Sequence, residues 1–143
     1  MNHSELIKKV NISMSKQIDE RGYAAAVDVL MDIGVLSRQN YEDWRFGRVP
    51  YLERVCTVNL SKLAAVNRQM KEFAKGAGLK PSFCYYKQWG RKKRSVIPLR
   101  FSKRGDPNIE RAYATHYVSA YKIAKLKAEH TQNEDQDDST EPS

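Results

Sequence analysis

Residues 83–101 have the sequence FCYYKQWGRKKRSVIPLRF, in which two β-type runs are joined by a glycine and four consecutive cations. Aromatic and β-branched residues on both sides favour a pair of strands, and Gly90 supplies the backbone freedom that a turn needs. The pattern predicts a β-hairpin whose tip carries Arg91, Lys92, Lys93 and Arg94. Four like charges cannot be buried together, so this tip must project into solvent or onto a polyanion such as nucleic acid.

Apolar residues at helical spacing predict several helices upstream of this hairpin. The first runs from Ser4 to Arg21, and the second covers Tyr23 to Ile33. A short third helix is expected between Ser37, a good N-cap, and Gly47. A longer helix should then begin at Pro50 and be ended by Gly76 and Gly78, with one face packed over roughly six turns.

The chain after the hairpin contains one further helix signal and an acidic end. Asp106 and Pro107 predict the start of a helix that includes residues 109–117 and continues past Ser119 with weaker periodicity. Residues 131–143 are polar, acidic and free of aromatic residues, which predicts disorder. We therefore expect a mostly helical α+β single domain over residues 1–130, with a basic β-hairpin near 83–101, followed by a disordered acidic tail.

Charge is distributed unevenly along the chain. The net charge is +8, but residues 131–143 contain five acids and no cation, which leaves +13 for residues 1–130. Residues 81–130 hold twelve Lys or Arg against three acids. Such a surface is typical of nucleic-acid binding, although an acidic membrane or an acidic protein could also use it. The acidic tail is either a solvated end or a mimic of nucleic acid that folds back on the basic body.

Several classes of site find no support in the sequence. Cys56 and Cys84 stand alone and are interpreted as two buried thiols, since their spacing indicates neither a disulfide framework nor a metal site. Gly-rich phosphate loops, nucleophile elbows and spaced Cys/His sets are absent, so no cofactor is indicated. The apolar runs are too short to span a bilayer, and the N-terminus is polar. We expect a cytoplasmic, soluble protein with no membrane partner.

The second and third predicted helices form a helix-turn-helix candidate, because a short segment containing Gly34 joins them. Arg38 and Gln39 are donors suited to base edges in the major groove, whereas Glu42 and Asp43 place negative charge where phosphates would approach. Trp89, next to the turn, is the aromatic residue expected to be exposed for stacking on bases. The candidate nucleic-acid-binding residues are Arg38, Gln39, Arg45, Lys87, Trp89, Arg91, Lys92, Lys93, Arg94, Arg100, Lys103 and Arg104.

Two alternatives to nucleic-acid binding, with DNA favoured over RNA, stay open. One is a protein-interaction adaptor in which the long helix or the Tyr/Trp-rich strand docks an acidic partner. The other is a nuclease, because acids, a base and a hydroxyl lie close together in the sequence at Arg100, Ser102, Asp106, Glu110 and His116. Helical geometry argues against a nuclease that uses Asp106, Glu110 and His116, because His116 lies more than one and a half turns beyond Glu110.

Two phrases resemble known families. Residues 41–51, YEDWRFGRVPY, resemble the end of the recognition helix in excisionase-type winged-helix proteins, where a Trp-Arg-x-Gly-Arg-x-Pro string leads into the wing. This chain departs from that pattern directly afterwards, since a helix is predicted where those proteins place a strand. Residues 44–53, WRFGRVPYLE, and 100–117, RFSKRGDPNIERAYATHY, are similar to a family of small uncharacterised bacterial proteins. That resemblance covers residues 20–118 and implies a bacterial cytoplasmic origin, with no mechanism attached.

Overall fold

The structure is a computed structural model that describes residues 1–90 and 98–140, with side chains followed as far as residue 132. The described chain contains six α-helices and a three-stranded antiparallel sheet. The elements in chain order are α1 (His3–Arg21), β1 (Tyr23–Ala25), α2 (Ala26–Asp32), α3 (Arg38–Arg45), α4 (Leu60–Ala77), β2 (Lys80–Phe83), α5 (Pro107–Ala114), β3 (Thr115–Val118) and α6 (Ala120–Thr140). The mostly helical α+β class predicted from the sequence is confirmed.

Helix α1 forms where the sequence predicts it and supplies one wall of the core. The Asn2 side chain accepts a hydrogen bond from the Glu5 amide at 2.9 Å, and the left-handed backbone of Gly22 ends the helix at φ 83°. One face of α1 is buried against α4, and burial of each large aliphatic side chain there contributes about 1.5–3 kcal/mol. The buried apolar residues of the two helices are Leu6, Val10 and Met14 on α1, and Leu63, Val66, Met70 and Ala74 on α4.

The predicted helix over residues 23–33 is wrong in its first turn. Tyr23–Ala25 is a strand, and α2 begins only at Ala26. The three residues pair antiparallel with β3, and the Ala25 amide also donates to the Gln17 side-chain oxygen at 2.9 Å. These distant partners outweigh the helix propensity of the alanines.

The long helix predicted from Pro50 is also wrong at its start. Leu52–Val55 forms a single 3-10 turn, and α4 begins at Leu60 after Asn59, whose side chain accepts from the Lys62 amide at 2.9 Å. The chain between these two helices is held elsewhere, because the Thr57 amide donates to the Val35 carbonyl at 2.9 Å. Asn59 is therefore a cap and not an interruption of one helix.

The sheet has β3 at its centre, between β1 and β2. Val118 is opposite both Tyr23 of β1 and Lys80 of β2, and both pairings are antiparallel. The sequence predicts a helix through residues 109–117, but α5 ends at Ala114 and the next four residues are extended. Thr115–Val118 is rich in β-branched and aromatic residues, which suit a strand paired on both edges.

Helix α5 begins as predicted, with the Asp106 side chain accepting from the amides of Asn108 and Ile109. The backbone of α6 continues to Thr140, into residues 131–143, whose predicted disorder stays a prediction. No helix within residues 1–90 and 98–140 is long and apolar enough to cross a bilayer.

Candidate nucleic-acid interface

Helices α2 and α3 are joined by a tight turn, as the helix-turn-helix candidate requires. Gly34 has a φ of 81°, and the amides of Val35 and Leu36 both donate to the Leu30 carbonyl. Ser37 caps α3 by accepting from the Asn40 amide at 3.0 Å. The turn thus presents a two-turn helix, α3, whose N-terminal half is exposed.

The two predicted base-reading residues at the start of α3, Arg38 and Gln39, are hydrogen-bonded to acidic side chains of the same helix. The Arg38 Nε lies 3.2 Å from a Glu42 carboxylate oxygen, and the Gln39 side-chain amide donates to Asp43 at 3.2 Å. Arg48 also pairs with Asp43, at 3.1 Å. Exposed pairs of this kind are worth about 0–1 kcal/mol, so a ligand could displace them at small cost.

Arg45, the third predicted base-reading residue on α3, lies against aromatic rings. Its guanidinium carbon is 4.6 Å from the centroid of the Trp89 ring and 5.2 Å from that of Tyr86. Its Nε is buried and has no hydrogen-bond partner among the described atoms. The Arg45 carbonyl accepts from the Trp89 amide at 2.7 Å. Arg45 therefore attaches the N-terminal arm of the hairpin, residues 83–89, to α3 through cation–π contacts and one backbone hydrogen bond.

Trp89 is half-buried, which corrects its prediction as the exposed stacking residue. Its ring meets Tyr41 edge-on at 5.8 Å and Phe46 edge-on at 5.5 Å. The aromatic residues exposed on this arm are instead Tyr85, at 75%, and Phe83, at 46%. Tyr85 and Trp89 are four positions apart and would share one face of a regular strand, so the contacts with Tyr41 and Phe46, and not strand alternation, explain the burial of Trp89.

The predicted hairpin forms as a pair of arms with little regular strand. Among the described residues of the arms, the bridge joins Lys87 to Pro98, and the Leu99 amide donates to the Tyr86 carbonyl at 2.9 Å. Gly90 has a φ of 81°, consistent with its predicted place at the turn. The predicted tip cations Arg91, Lys92, Lys93 and Arg94 lie outside the described residues.

The C-terminal arm is anchored through its backbone. The Arg100 carbonyl accepts from the Trp44 indole nitrogen at 2.8 Å and from the Leu52 amide at 3.2 Å. Phe101 is buried between the rings of Trp44 and Tyr113, with centroid distances of 5.1 and 5.2 Å. The exposed Arg100 side chain therefore extends from a fixed backbone position.

Glu110 of α5 holds the next two residues of this arm. Its carboxylate accepts from the amides of Phe101 and Ser102 and from the Ser102 hydroxyl, each at 2.9 Å. Of the residues considered for a nuclease, the structure joins Ser102 and Glu110 directly, while Asp106 caps α5. Glu110 is engaged in holding the loop, and His116 belongs to a separate cluster.

His116 on β3 lies between a thiol and a phenol. Its Nδ1 is 3.3 Å from the Cys84 sulfur, and its Nε2 is 2.9 Å from the Tyr86 hydroxyl. Tyr23 stacks on the imidazole at 5.5 Å with a 9° angle between planes. Burial lowers the pKa of His116, the nearby Arg21 lowers it further, and Asp28 opposes them.

The spacing of Cys84 and His116 resembles a nucleophile and its base, but the contacts of the ring limit that chemistry. Tyr86 occupies the second ring nitrogen, and Tyr23 covers one face of the ring. The cluster links the N-terminal arm to the central strand. The sequence did not predict it, because the two residues are 32 positions apart and form no local motif. Both cysteines are half-buried, and no group of three potential metal ligands occurs within the described residues.

Exposed cations surround the anchored base of the hairpin. Lys87 on one arm and Arg100 on the other are exposed, as are Lys103 and Arg104 in the loop that follows. None of these four side chains forms an ion pair with a carboxylate in the described part of the chain. Their positive charge is available to an anionic ligand.

No family model matches this chain, and no match was found among curated proteins or among solved structures.

Proposed function

We propose that this protein binds nucleic acid, with duplex DNA favoured over RNA, through the basic hairpin at residues 83–101. The observation that carries the proposal is the set of exposed cations Lys87, Arg100, Lys103 and Arg104, which form no ion pair among the described side chains, around a hairpin base that is fixed to the fold. The sequence places four more cations, Arg91 to Arg94, between these fixed arms. A rigid base limits the entropy lost when the hairpin meets a phosphate backbone.

The two arms of the hairpin are positioned by different contacts. The aromatic contacts of Arg45 and Trp89 position the N-terminal arm against α3, while the hydrogen bonds to Glu110 position the C-terminal arm. Tip cations contact phosphates and supply most of the affinity. Arg38 and Gln39 can reach base edges once they leave Glu42 and Asp43, which costs little, and their base contacts would contribute to specificity. The preference for duplex DNA follows from α3, which lies beside the hairpin, because the major groove of B-DNA is wide enough to admit an α-helix and that of A-form RNA is not.

This function accords with the cytoplasmic location proposed from the sequence, where nucleic acid is the commonest polyanion. Binding should depend steeply on salt. If the four tip cations each neutralise one phosphate, log K should fall against log salt with a slope of about −3.6.

The test is fluorescence anisotropy of the full chain with labelled duplex DNA, single-stranded DNA and RNA, titrated across salt. The decisive variant replaces Arg91, Lys92, Lys93 and Arg94 by alanine. A matched control replaces four exposed cations on α1 and α6 by alanine and so changes the net charge equally, at Lys8, Lys9, Lys125 and Lys127. We expect the first variant to lose binding and the control to retain most of it. Equal losses in both variants, or a salt slope near zero, would refute binding through the hairpin.

A further inference from the structure

A groove on the surface, remote in chain position from the hairpin tip, lies between α4 and α5. Its volume is about 1020 Å³, and Tyr113 and Tyr117 contribute to its lining. Leu60 at the start of α4 and Ile109 on α5 also line it and are 65% and 43% exposed. Large apolar side chains are therefore left in contact with solvent along this groove.

Small side chains on both helices leave part of the groove unfilled. Ala64 lines it from α4 and Ala112 from α5, so no large side chain at either position fills the space. The lining positions of α4 recur at about one-turn intervals from Leu60 to Lys75. At a rise of 1.5 Å per residue, this stripe is about 22 Å long. The shape is that of an elongated trough and not of a pocket for a compact ligand.

Cations lie along both walls. Arg68, Lys71 and Lys75 are on α4, and Arg111 is on α5. Glu53 is the acid among the lining residues of the described chain, and its carboxylate already accepts from the Tyr113 hydroxyl at 2.7 Å. Lys75 has a partner, Glu72, only at 4.0 Å. An occupant should thus combine an apolar face with negative charge at several points along its length.

These features select among possible occupants. A fatty acid carries one charge at one end and would leave the cations spaced along α4 unmatched. A second copy of the chain would bring an equally basic groove to this one. The acidic residues 131–143 of the same chain include no aliphatic or aromatic residue to fill an apolar trough. An amphipathic helix with acidic flanks meets both requirements.

We propose that the groove between α4 and α5 binds an acidic amphipathic helix of another protein, about fifteen residues long. The apolar face of that helix packs on the exposed side chains of Leu60 and Ile109. Its acidic side chains pair with Arg68 and Lys71 on one wall and with Arg111 on the other. The groove adjoins the hairpin, because Tyr113 stacks on Phe101 and Arg111 lies over the Phe83 ring, but its lining lies outside residues 83–101, and its existence does not depend on nucleic-acid binding.

The test uses the full chain and a fluorescein-labelled 18-residue helical peptide with leucines on one face and glutamates beside them. Two comparison peptides have the same composition in scrambled order, or lysine in place of every glutamate. We expect saturable binding of the amphipathic acidic peptide and no saturable binding of either comparison peptide. Arg68→Glu combined with Lys71→Glu should weaken it at least tenfold, and Ala64→Trp should do the same by filling the trough.

The controls separate this proposal from the proposed function. Lys8→Glu with Lys9→Glu makes the same charge change on α1 and should leave peptide affinity within twofold. The alanine variant of residues 91–94 should bind the peptide normally while losing nucleic acid. Equal binding of the scrambled peptide, or no effect of the Arg68 and Lys71 reversals, would overturn the proposal. The proposal would also be overturned if sedimentation showed that dimerisation of this chain displaces the peptide, or if oleate bound in the groove and the peptide did not.

Discussion

The four hydrogen bonds to Glu110 make the substitution Glu110→Gln a quantitative test of how the hairpin is held. One carboxylate oxygen accepts from the Phe101 amide at 2.9 Å, and the other accepts from Phe101 at 3.2 Å and from the Ser102 amide and hydroxyl at 2.9 Å. A glutamine has one acceptor oxygen. Whichever way its amide turns, an NH₂ group will face a backbone amide, of Phe101 or of Ser102, that is itself a donor.

The cost follows from these contacts. At least one hydrogen bond to a charged acceptor is lost, at about 1.5–3 kcal/mol, and the others lose their charge assistance. Glu110 is only half-buried, so water can relieve part of this loss. We expect the free energy of unfolding to fall by about 2–3 kcal/mol.

Urea denaturation of the full chain, followed by tryptophan fluorescence, measures this loss. Trp44 reports directly, because its indole nitrogen donates to the carbonyl of Arg100, next to Phe101. The exposed substitution Glu20→Gln removes the same charge from α1 and should change stability by less than about 0.5 kcal/mol. If Glu110→Gln also falls within that limit, the carboxylate does not hold the arm, and the positioning attributed to it is wrong.

Three further predictions concern the base of the hairpin, the core histidine and the tail. Gly47→Ala should lower the free energy of unfolding by about 2 kcal/mol and weaken nucleic-acid binding, because φ is +76° and a Cβ would lie 2.5 Å from the Gln88 side chain. The control Gly78→Ala, at φ +67° with open space, should cost only about 1 kcal/mol. Equal effects of the two substitutions in urea melts would show that the Gln88 contact is unimportant. Because burial lowers the pKa of His116, stability should be constant above about pH 6.5 and fall below it, and urea midpoints of His116→Gln should lack this fall; a parallel decline in both proteins would contradict it. Removal of residues 131–143 raises the net charge from +8 to +13 and should increase the affinity for DNA about threefold or more at low salt, measured by anisotropy titration. Unchanged affinity would mean that the tail does not compete with DNA.

The elements that were predicted correctly are those whose signals are local. Ser37 and Asp106 cap their helices from within three residues, and Gly22 ends α1 next to its last turn. Thr115–Val118 was misassigned because its strand character depends on pairing with Tyr23–Ala25 and Lys80–Phe83, both of which are distant in the chain. Helical periodicity continued through that segment and masked the β-branched and aromatic composition that favours a strand there.

The candidate site divides in the same way. The clustering of cations was evident from composition, and the exposure of Lys87, Arg100, Lys103 and Arg104 agrees with it. The function of Arg45 was not predictable, because its contacts are with Trp89 and Tyr86, more than forty positions away. The sequence alone does not distinguish an arginine that packs against aromatic rings from one that contacts a base.

The arms of the hairpin are fastened by contacts between distant parts of the chain, and this has a consequence for folding. Trp44 and Arg100 are 56 positions apart, and Tyr113 and Glu53 are 60 apart. Closing such loops costs more entropy than forming a local hairpin, so the arms are fixed only when the rest of the chain is already assembled. A peptide of residues 83–101 would carry the same charge without the same geometry. The proposed binding surface is thus a property of the completed fold, and a polyanion that binds it should in turn favour the folded chain over the unfolded one.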